Sequence, residues 1–136
     1  MTEEEKRLLL VDLCSRIPYG VKVNINSPIE EQNQMELFDV NLESETIGVR
    51  NGKWMFRAVP VEDEKGRIVK PYLRSMESMT DEEKKKVHYF VESHKLGNCS
   101  RSGAISDYLN SIHIDYHSGL IEKGLALEAT EGMYKI

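Results

Sequence analysis

The segment TIGVRNGKWMFRA, residues 46–58, gives the strongest indication of the fold because it predicts a β-hairpin. Asn51 and Gly52 are the residue pair that two-residue type I′ turns prefer, since both turn positions need a positive φ. Such a turn places apolar side chains opposite one another on one face of the hairpin, as a ladder that lies on a core requires. The expected pairs are Val49 with Trp54 and Ile47 with Phe56.

Alternating apolar and polar residues on both sides of this hairpin predict further strands. Before it, VKVNI (residues 21–25) and MELFDVNL (residues 35–42) have the two-residue period of half-buried strands. After it, VPVEDEKGRIVKPYL (residues 59–73) predicts a strand pair that turns around residues 63–66, and LALEA (residues 125–129) predicts a short final strand. Together these segments predict a meander of antiparallel strands.

The first residues predict an N-terminal helix. Thr2 and Glu5 have the spacing of a capping box, in which each side chain binds the backbone amide of the other residue. One face of this helix is apolar and the opposite face is charged, which is typical of a helix that lies on a core. The expected apolar face is Leu9, Leu10, Leu13, Cys14 and Ile17, and the face expected in solvent includes Asp12 and Arg16.

Two further helices are predicted in the last third of the chain. Thr80 and Glu83 repeat the capping-box spacing at the start of the first. The second begins at about Ser102, and its apolar residues recur at the helical positions i, i+3, i+4 and i+7. The segment SGLIEKG, residues 118–124, then predicts one or two helical turns that end at a glycine.

The length and composition predict one domain. A chain of 136 residues with 40% hydrophobic residues is long enough to bury a core, and its hydrophobicity argues against disorder. We therefore expect a single α+β domain over residues 1–136. In this expectation an antiparallel sheet has an N-terminal helix and two C-terminal helices packed on it.

The charge balance and the cysteines limit the classes of function. The net charge of -5 and the absence of a basic stripe disfavour binding to duplex nucleic acid, whereas an acidic surface suits a basic protein partner. Only Cys14 and Cys99 are present, which does not suggest a disulfide framework. The first residues are acidic, and the apolar run at residues 8–11 is too short for a signal peptide or a membrane span. We expect a cytoplasmic protein with reduced thiols.

The segment HIDYH, residues 113–117, has three potential metal ligands. In an extended segment His113, Asp115 and His117 would project to one side, and imidazole with carboxylate suits zinc or non-haem iron. Such a centre would indicate a metal-dependent hydrolase. The interpretation we favour is a structural turn, in which the end of the preceding helix favours an imidazolium at His113 and Asp115 caps the turns of residues 118–124.

A second hypothesis concerns aromatic and arginine side chains of the predicted sheet. Trp54 and Tyr72, with Arg57 and Arg74 near them in sequence, could form a surface of rings and guanidinium groups. Surfaces of this kind stack bases, so these residues predict nucleotide or nucleic-acid binding as an alternative function. The competing interpretation is an ordinary sheet core with arginine at its rim.

Three segments together resemble a group of small uncharacterised proteins that phages, prophages and mobile elements of gut anaerobes encode. In that group the segment near the end reads H-x-D-Y-R-G-L-I, so His117 stands where arginine is expected and Ser118 is an insertion. The resemblance implies a protein of phage or mobile-element type with no assigned activity, and it favours the structural turn over a metal centre. The segments are LLLVDLCSRIPYGVKV (8–23), KPYLRSMESMTDEEKKK (70–86) and DYLNSIHIDYHSGLIEKGLALEATEGMY (107–134).

The sequence contains no phosphate-binding glycine loop and no nucleophile elbow. We therefore expect a small non-catalytic protein that needs no cofactor and acts by binding another macromolecule. A protein is the expected partner, nucleic acid is not favoured, and membrane binding is not expected. Pairing of two copies of the chain through the exposed edge of the hairpin is an alternative that the sequence does not decide.

Overall fold

The computed structural model describes residues 1–95, 104–116, 119–130 and 132–134. Its helices are α1 (Glu3–Arg16), α2 (Asp81–Lys95) and α3 (Ala104–Ser111). Its strands are β1 (Lys22–Asn24), β2 (Met35–Asn41), β3 (Thr46–Arg50), β4 (Met55–Pro60), β5 (Lys70–Leu73) and β6 (Leu127–Glu128). Within the described residues the strands form one curled sheet in the order β4-β3-β2-β1-β5-β6. The predicted α+β class is confirmed.

The sheet is mixed, so the prediction of an antiparallel sheet is only partly right. Neighbouring strands from β4 to β5 are antiparallel, but β6 runs parallel to β5, with Tyr72 opposite Leu127 and Leu73 opposite Glu128. Both α2 and α3 lie between these two strands along the chain. A long connection of this kind can return the chain in the same direction, whereas a hairpin reverses it.

The main core lies between α1 and the sheet, and the C-terminal helices cover less of the sheet than predicted. Helix α2 packs against α3, and α3 also contacts α1. A second, smaller apolar cluster forms around Leu109, Ile112 and Ile114. Ser102, the predicted start of the last helix, lies outside the described residues. The most deeply buried residues of the main core are Leu9, Leu13, Val21, Val23, Met35, Leu37, Ile47, Val49, Val61, Leu73 and Leu120.

The start of α1 confirms the predicted capping box. The amide of Glu5 donates to Thr2 Oγ1 at 3.1 Å, and the amide of Thr2 donates to Glu5 Oε1 at 2.9 Å. These two bonds satisfy amides that have no partner within the helix. The backbone amide of Thr2, and after it the Thr2 hydroxyl, lower the pKa of the Glu5 carboxyl because they favour its ionised form.

The expectation that Asp12 and Arg16 lie in solvent is wrong, because both are buried. Arg16 is 0% exposed and Asp12 is 8% exposed. Arg16 Nε donates to Asp12 Oδ2 at 2.8 Å, and Arg16 Nη2 donates to the carbonyl oxygen of Ile114, also at 2.8 Å. The two residues lie one turn after Leu9 and Leu13 on α1, so they flank the apolar stripe, and the segment after α3 covers them.

The β3–β4 hairpin forms, but the predicted turn and register are wrong. Arg50 faces Met55 and Val49 faces Phe56, so four residues, 51–54, form the loop. Neither Asn51 nor the glycine after it adopts a positive φ. Instead, Asn51 Oδ1 accepts hydrogen bonds from the amides of Lys53 and Trp54, each at 2.8 Å. The asparagine side chain thus supplies the acceptor that organises the turn, and no type I′ geometry is needed.

Two irregular positions shift the strand faces. Between β3 and β4 the register shifts near Ala58, which has φ +57°, and Ile47 therefore faces Val59. Between β2 and β3 it shifts at Phe38. The ring of Phe38 lies over Gly48, where an added Cβ would be only 2.8 Å from Phe38 Cζ. Such bulges bend a strand and redirect the side chains that follow.

The predicted strand pair around residues 63–66 is only partly right, because an isolated bridge forms there in place of two paired strands. Glu62 and Ile68 form an antiparallel bridge, and the amide of Val69 donates to the carbonyl of Val61 at 2.8 Å. These contacts join the end of β4 to the start of β5, although three strands separate β4 and β5 in the sheet order. Both valines are buried, so the curl encloses part of the core.

We expect the substitution Arg16→Met to lower the free energy of unfolding by about 3 kcal/mol, because it leaves the buried Asp12 carboxylate without its counter-charge. Arg67→Met is the matched control. Arg67 contacts Asp63 at the same i,i+4 spacing and at 2.9 Å, but its side chain is 52% exposed, so the cost should stay below about 1 kcal/mol. Urea denaturation measures both values. Equal losses in the two variants would contradict this account of the buried pair.

Candidate functional site

Asp115 caps the helical turns of residues 119–124, as the sequence predicted. The amide of Leu120 donates to Asp115 Oδ1 and the amide of Ile121 donates to Asp115 Oδ2, each at 3.0 Å. The amide of Asp115 itself donates to the carbonyl of Arg74 at 2.8 Å. Both carboxylate oxygens therefore bind the backbone, which gives Asp115 a structural role in this arrangement.

His113 is buried and neutral, so the expected imidazolium is wrong. Its ring stacks on the ring of Tyr134, with 3.7 Å between the ring centroids. Burial, and after it the positive charges of Arg16, Arg74 and Lys22, together lower the pKa of His113 to about 4. The preceding helix is short, and its dipole is weak beside two guanidinium groups and the loss of water.

The proposed metal triad extends beyond the described part of the chain. His113 and Asp115 are held in the contacts above, and His117 lies outside the described residues. Within residues 1–95, 104–116, 119–130 and 132–134, no group of three or more histidine, cysteine or carboxylate side chains is placed to hold a metal ion. The triad stays a prediction.

We expect the neutral state of His113 to make stability depend on pH. Between the ordinary pKa of 6.5 and the folded value of about 4, the unfolded chain binds a proton that the folded chain does not. The free energy of unfolding should therefore fall by about 3 kcal/mol as the pH falls from 7 to 4. Urea denaturation across this range measures the change.

The variant His113→Asn should flatten this dependence, since asparagine does not titrate and tolerates the φ of +63° at this position. The control is His88→Asn, because His88 is exposed on α2. Protonation of Glu83 does not contribute to the pH dependence of the free energy of unfolding above pH 4.5. Its hydrogen bonds to Arg74 lower its pKa below the usual 4.5, so its contribution is lost only at lower pH. The same slope in wild type and His113→Asn would contradict the assignment.

The hydroxyl of Tyr134 joins β1 to β5 at a point where the strands do not bond each other directly. It accepts a hydrogen bond from the amide of Lys22 at 2.8 Å and donates to the carbonyl of Tyr72 at 2.7 Å. Burial raises the pKa of Tyr134 to about 12, which keeps the hydroxyl protonated and able to donate.

We expect Tyr134→Phe to lower the free energy of unfolding by about 2 kcal/mol, because the Lys22 amide and the Tyr72 carbonyl lose their partner. Tyr89→Phe is the control, since Tyr89 is 66% exposed and should change stability by less than about 0.5 kcal/mol. Denaturant titration of both variants gives the comparison. A loss at Tyr134 no larger than the control would show that water replaces the hydroxyl.

The four residues predicted to bind nucleotides or nucleic acid are placed on two strands far apart in the sheet order. Trp54 and Arg57 belong to the β3–β4 loop and β4, whereas Tyr72 and Arg74 belong to β5 and the residue after it. No hydrogen bond or ring contact joins the two pairs in the described part of the chain. Strands β3, β2 and β1 lie between β4 and β5.

The guanidinium of Arg74 already binds four protein acceptors. It donates to both carboxylate oxygens of Glu83 at 2.8 and 2.9 Å and to the carbonyls of Ser78 and Ile112 at 3.1 Å. A bidentate pair of this kind is a strong structural contact. Arg74 also lines a cavity of about 390 Å³ beside the start of α2, but these bonds direct its guanidinium to the protein. Binding of bases by this set stays a prediction.

A larger groove of about 510 Å³ lies between α1 and the turn that joins β2 to β3. We call it the α1 groove. Leu10 is buried at its base, while Val11 is 53% exposed and Leu42 is 56% exposed. Its lining residues are Glu3, Glu4, Arg7, Leu10, Val11, Leu42 and Glu45.

The sequence pattern does not predict this groove. Val11 lies outside the apolar stripe predicted for the first helix, and alternation predicts Leu42 as the end of a strand. An apolar residue on the charged side of a helix was the available signal, together with a leucine next to a polar turn. Neither is unusual alone, because single apolar residues are common at protein surfaces. Only the fold brings Val11 and Leu42 into one groove.

No helix in the described part of the chain combines the length and the apolar character that crossing a lipid bilayer would need. Comparison with known proteins gives no relative: no family model, no curated protein and no solved structure matches the chain.

Proposed function

We propose that the protein acts without catalysis by binding another protein through the α1 groove. The observation that carries this proposal is the position of Val11 and Leu42, two large apolar side chains that are more than half exposed and line the same groove. Adjacent exposed apolar side chains with a polar rim are typical of protein–protein interfaces.

The energetics of the groove support a binding role. Covering the exposed parts of Val11 and Leu42 would contribute about 1 kcal/mol for each side chain. Leu10 beneath them is 4% exposed and gives the groove a fixed base. A rigid apolar centre surrounded by charged side chains is the arrangement in which a few residues dominate binding.

The wider setting of the proposal comes from the sequence. The resemblance to proteins that phages and mobile elements encode suggests that this protein is also encoded by such an element. Its partner would then be a protein of the host cell or another protein of the element. A cytoplasmic location belongs to the same proposal and is in keeping with only two cysteines, of which Cys14 is free and Cys99 lies outside the described residues.

We expect a photo-reactive phenylalanine analogue at position 11 or 42 to crosslink one discrete protein in an extract of the cells that contain this chain. The same analogue at Ile29 is the control, because Ile29 is 48% exposed but does not line the groove. Mass spectrometry identifies the adducts, and urea denaturation verifies that the three variants fold.

Competition experiments test whether the crosslink depends on the α1 groove. Excess wild-type protein should remove the adduct, whereas excess Val11→Gln/Leu42→Asn double variant should not, since its groove has lost both apolar side chains. Excess Ile29→Asn should compete like wild type. Absence of a discrete adduct from positions 11 and 42, or the same adducts from position 29, would overturn the proposed function.

A further inference from the structure

The tip of the β3–β4 hairpin has an exposed asparagine that is followed by glycine. Asn51 and Gly52 are both exposed, and Asn51 is the one asparagine in the sequence that glycine follows. The backbone nitrogen of the next residue can attack the side-chain amide of an asparagine, because the chain holds the two groups close enough to close a small ring. A side chain on the next residue hinders this attack, and glycine has none.

The hydrogen bonds of Asn51 favour the attack. Its Oδ1 accepts the amide hydrogens of Lys53 and Trp54, each at 2.8 Å. Attack on Cγ moves negative charge onto Oδ1, and two amide donors that already point at this oxygen stabilise that charge in the transition state. The group that must leave is Nδ2 of Asn51, and it makes no hydrogen bond within the described part of the chain.

The attacking nitrogen is accessible as well. The amide of Gly52 makes no hydrogen bond to another described residue. A Cβ added at Gly52 would have no atom within 4 Å, so the space around this residue is open. Water can therefore reach the amide and remove the proton that the nitrogen must lose before it attacks.

Asn41 provides a matched comparison in the turn that joins β2 to β3. Its Oδ1 accepts the amide hydrogens of Glu43 and Ser44, each at 3.0 Å, and it is exposed as well. The residue that follows it is Leu42, whose side chain hinders the attacking nitrogen. The two turns thus share the amide donors and differ in the residue that supplies the nitrogen.

The other described asparagines are protected by their surroundings. Asn110 is 3% exposed. In three further residues Nδ2 donates a hydrogen bond to a protein oxygen, which holds the leaving group in place. These residues are Asn24, Asn26 and Asn33.

We propose that Asn51 is a site of spontaneous deamidation in the folded protein. The nitrogen of Gly52 forms a bond to Asn51 Cγ and the bond from Cγ to Nδ2 breaks, so a cyclic imide forms and ammonia leaves with the amide proton. Water then opens the imide at one of its two carbonyl carbons. Cleavage of the bond from nitrogen to Cγ gives aspartate, and cleavage of the bond from nitrogen to the main-chain carbonyl carbon gives isoaspartate.

Both products place a new carboxylate at the tip of the hairpin, near the side chains of Arg50 and Lys53 in sequence. Aspartate keeps a side-chain acceptor for the amides that organise the turn, whereas isoaspartate lengthens the four-residue loop by one main-chain atom. The loop lies at the opposite end of β3 from the turn that lines the α1 groove. The inference therefore goes beyond the proposed function and does not depend on it.

Peptide mapping by mass spectrometry tests the proposal on folded protein kept at mildly alkaline pH. We expect amide-to-acid conversion at Asn51 to be at least about tenfold faster than at Asn41, and enzymatic methylation of isoaspartate should label the same peptide. Protein unfolded in urea is the reference. A rate at Asn51 no higher than at Asn41, or a folded rate below about one hundredth of the unfolded rate, would overturn the proposal, since only the unfolded fraction would then react.

Two variants test the features that the comparison of the turns identifies. Gly52→Ala should slow conversion at Asn51 at least about tenfold, and it should fold normally because the space is open and φ is not positive. Leu42→Gly should make Asn41 a second site of conversion, because its Oδ1 already has two amide donors. Urea denaturation verifies that both variants fold. An unchanged rate in Gly52→Ala, or an unreactive Asn41 in Leu42→Gly, would contradict the proposal.

Discussion

Arg16 brings a guanidinium into the interior at the end of α1 and binds the carbonyl of Ile114 at 2.8 Å, while Asp12 balances its charge. Arg74 binds the carbonyl of Ile112 from the other side at 3.1 Å. The segment after α3 is thus held between two cations, each with its own carboxylate. A buried cation is tolerated only with such partners, so α1, β5 and the C-terminal half must meet in one arrangement. The low pKa of His113 follows first from the burial of its ring in this arrangement and then from the nearby cations.

The parts of the structure that the sequence predicted are those that neighbouring residues determine. The caps at Thr2, Thr80 and Asp115 form because each side chain binds amides at most six residues away. The strands β1 and β2 and the short β6 also lie where alternation predicted them. Periodicity and capping are local properties, and tertiary contacts here agree with them.

The parts that the sequence did not predict depend on residues that are far apart in the chain. The burial of Arg16 depends on a carbonyl 98 residues later. The hairpin register depends on how the turn is organised. The side chain of Asn51 accepts the amides of Lys53 and Trp54, and a four-residue loop forms in place of the predicted two-residue turn. The α1 groove requires Val11 and Leu42 to be placed together by the packing of α1 on the sheet. Neither the composition of the sequence nor the spacing of its residues indicates which of these distant residues come into contact.

The Tyr134 hydroxyl that joins β1 to β5 has a consequence for how the chain acquires its structure during synthesis. Lys22 and Tyr134 are 112 residues apart, and the same hydroxyl binds Tyr72 62 residues earlier. The strands β1 to β5 are therefore made long before the group that closes the seam between β1 and β5 leaves the ribosome. Contacts of such separation form late and slowly, and until then the Lys22 amide and the Tyr72 carbonyl are open to pairing with other chains.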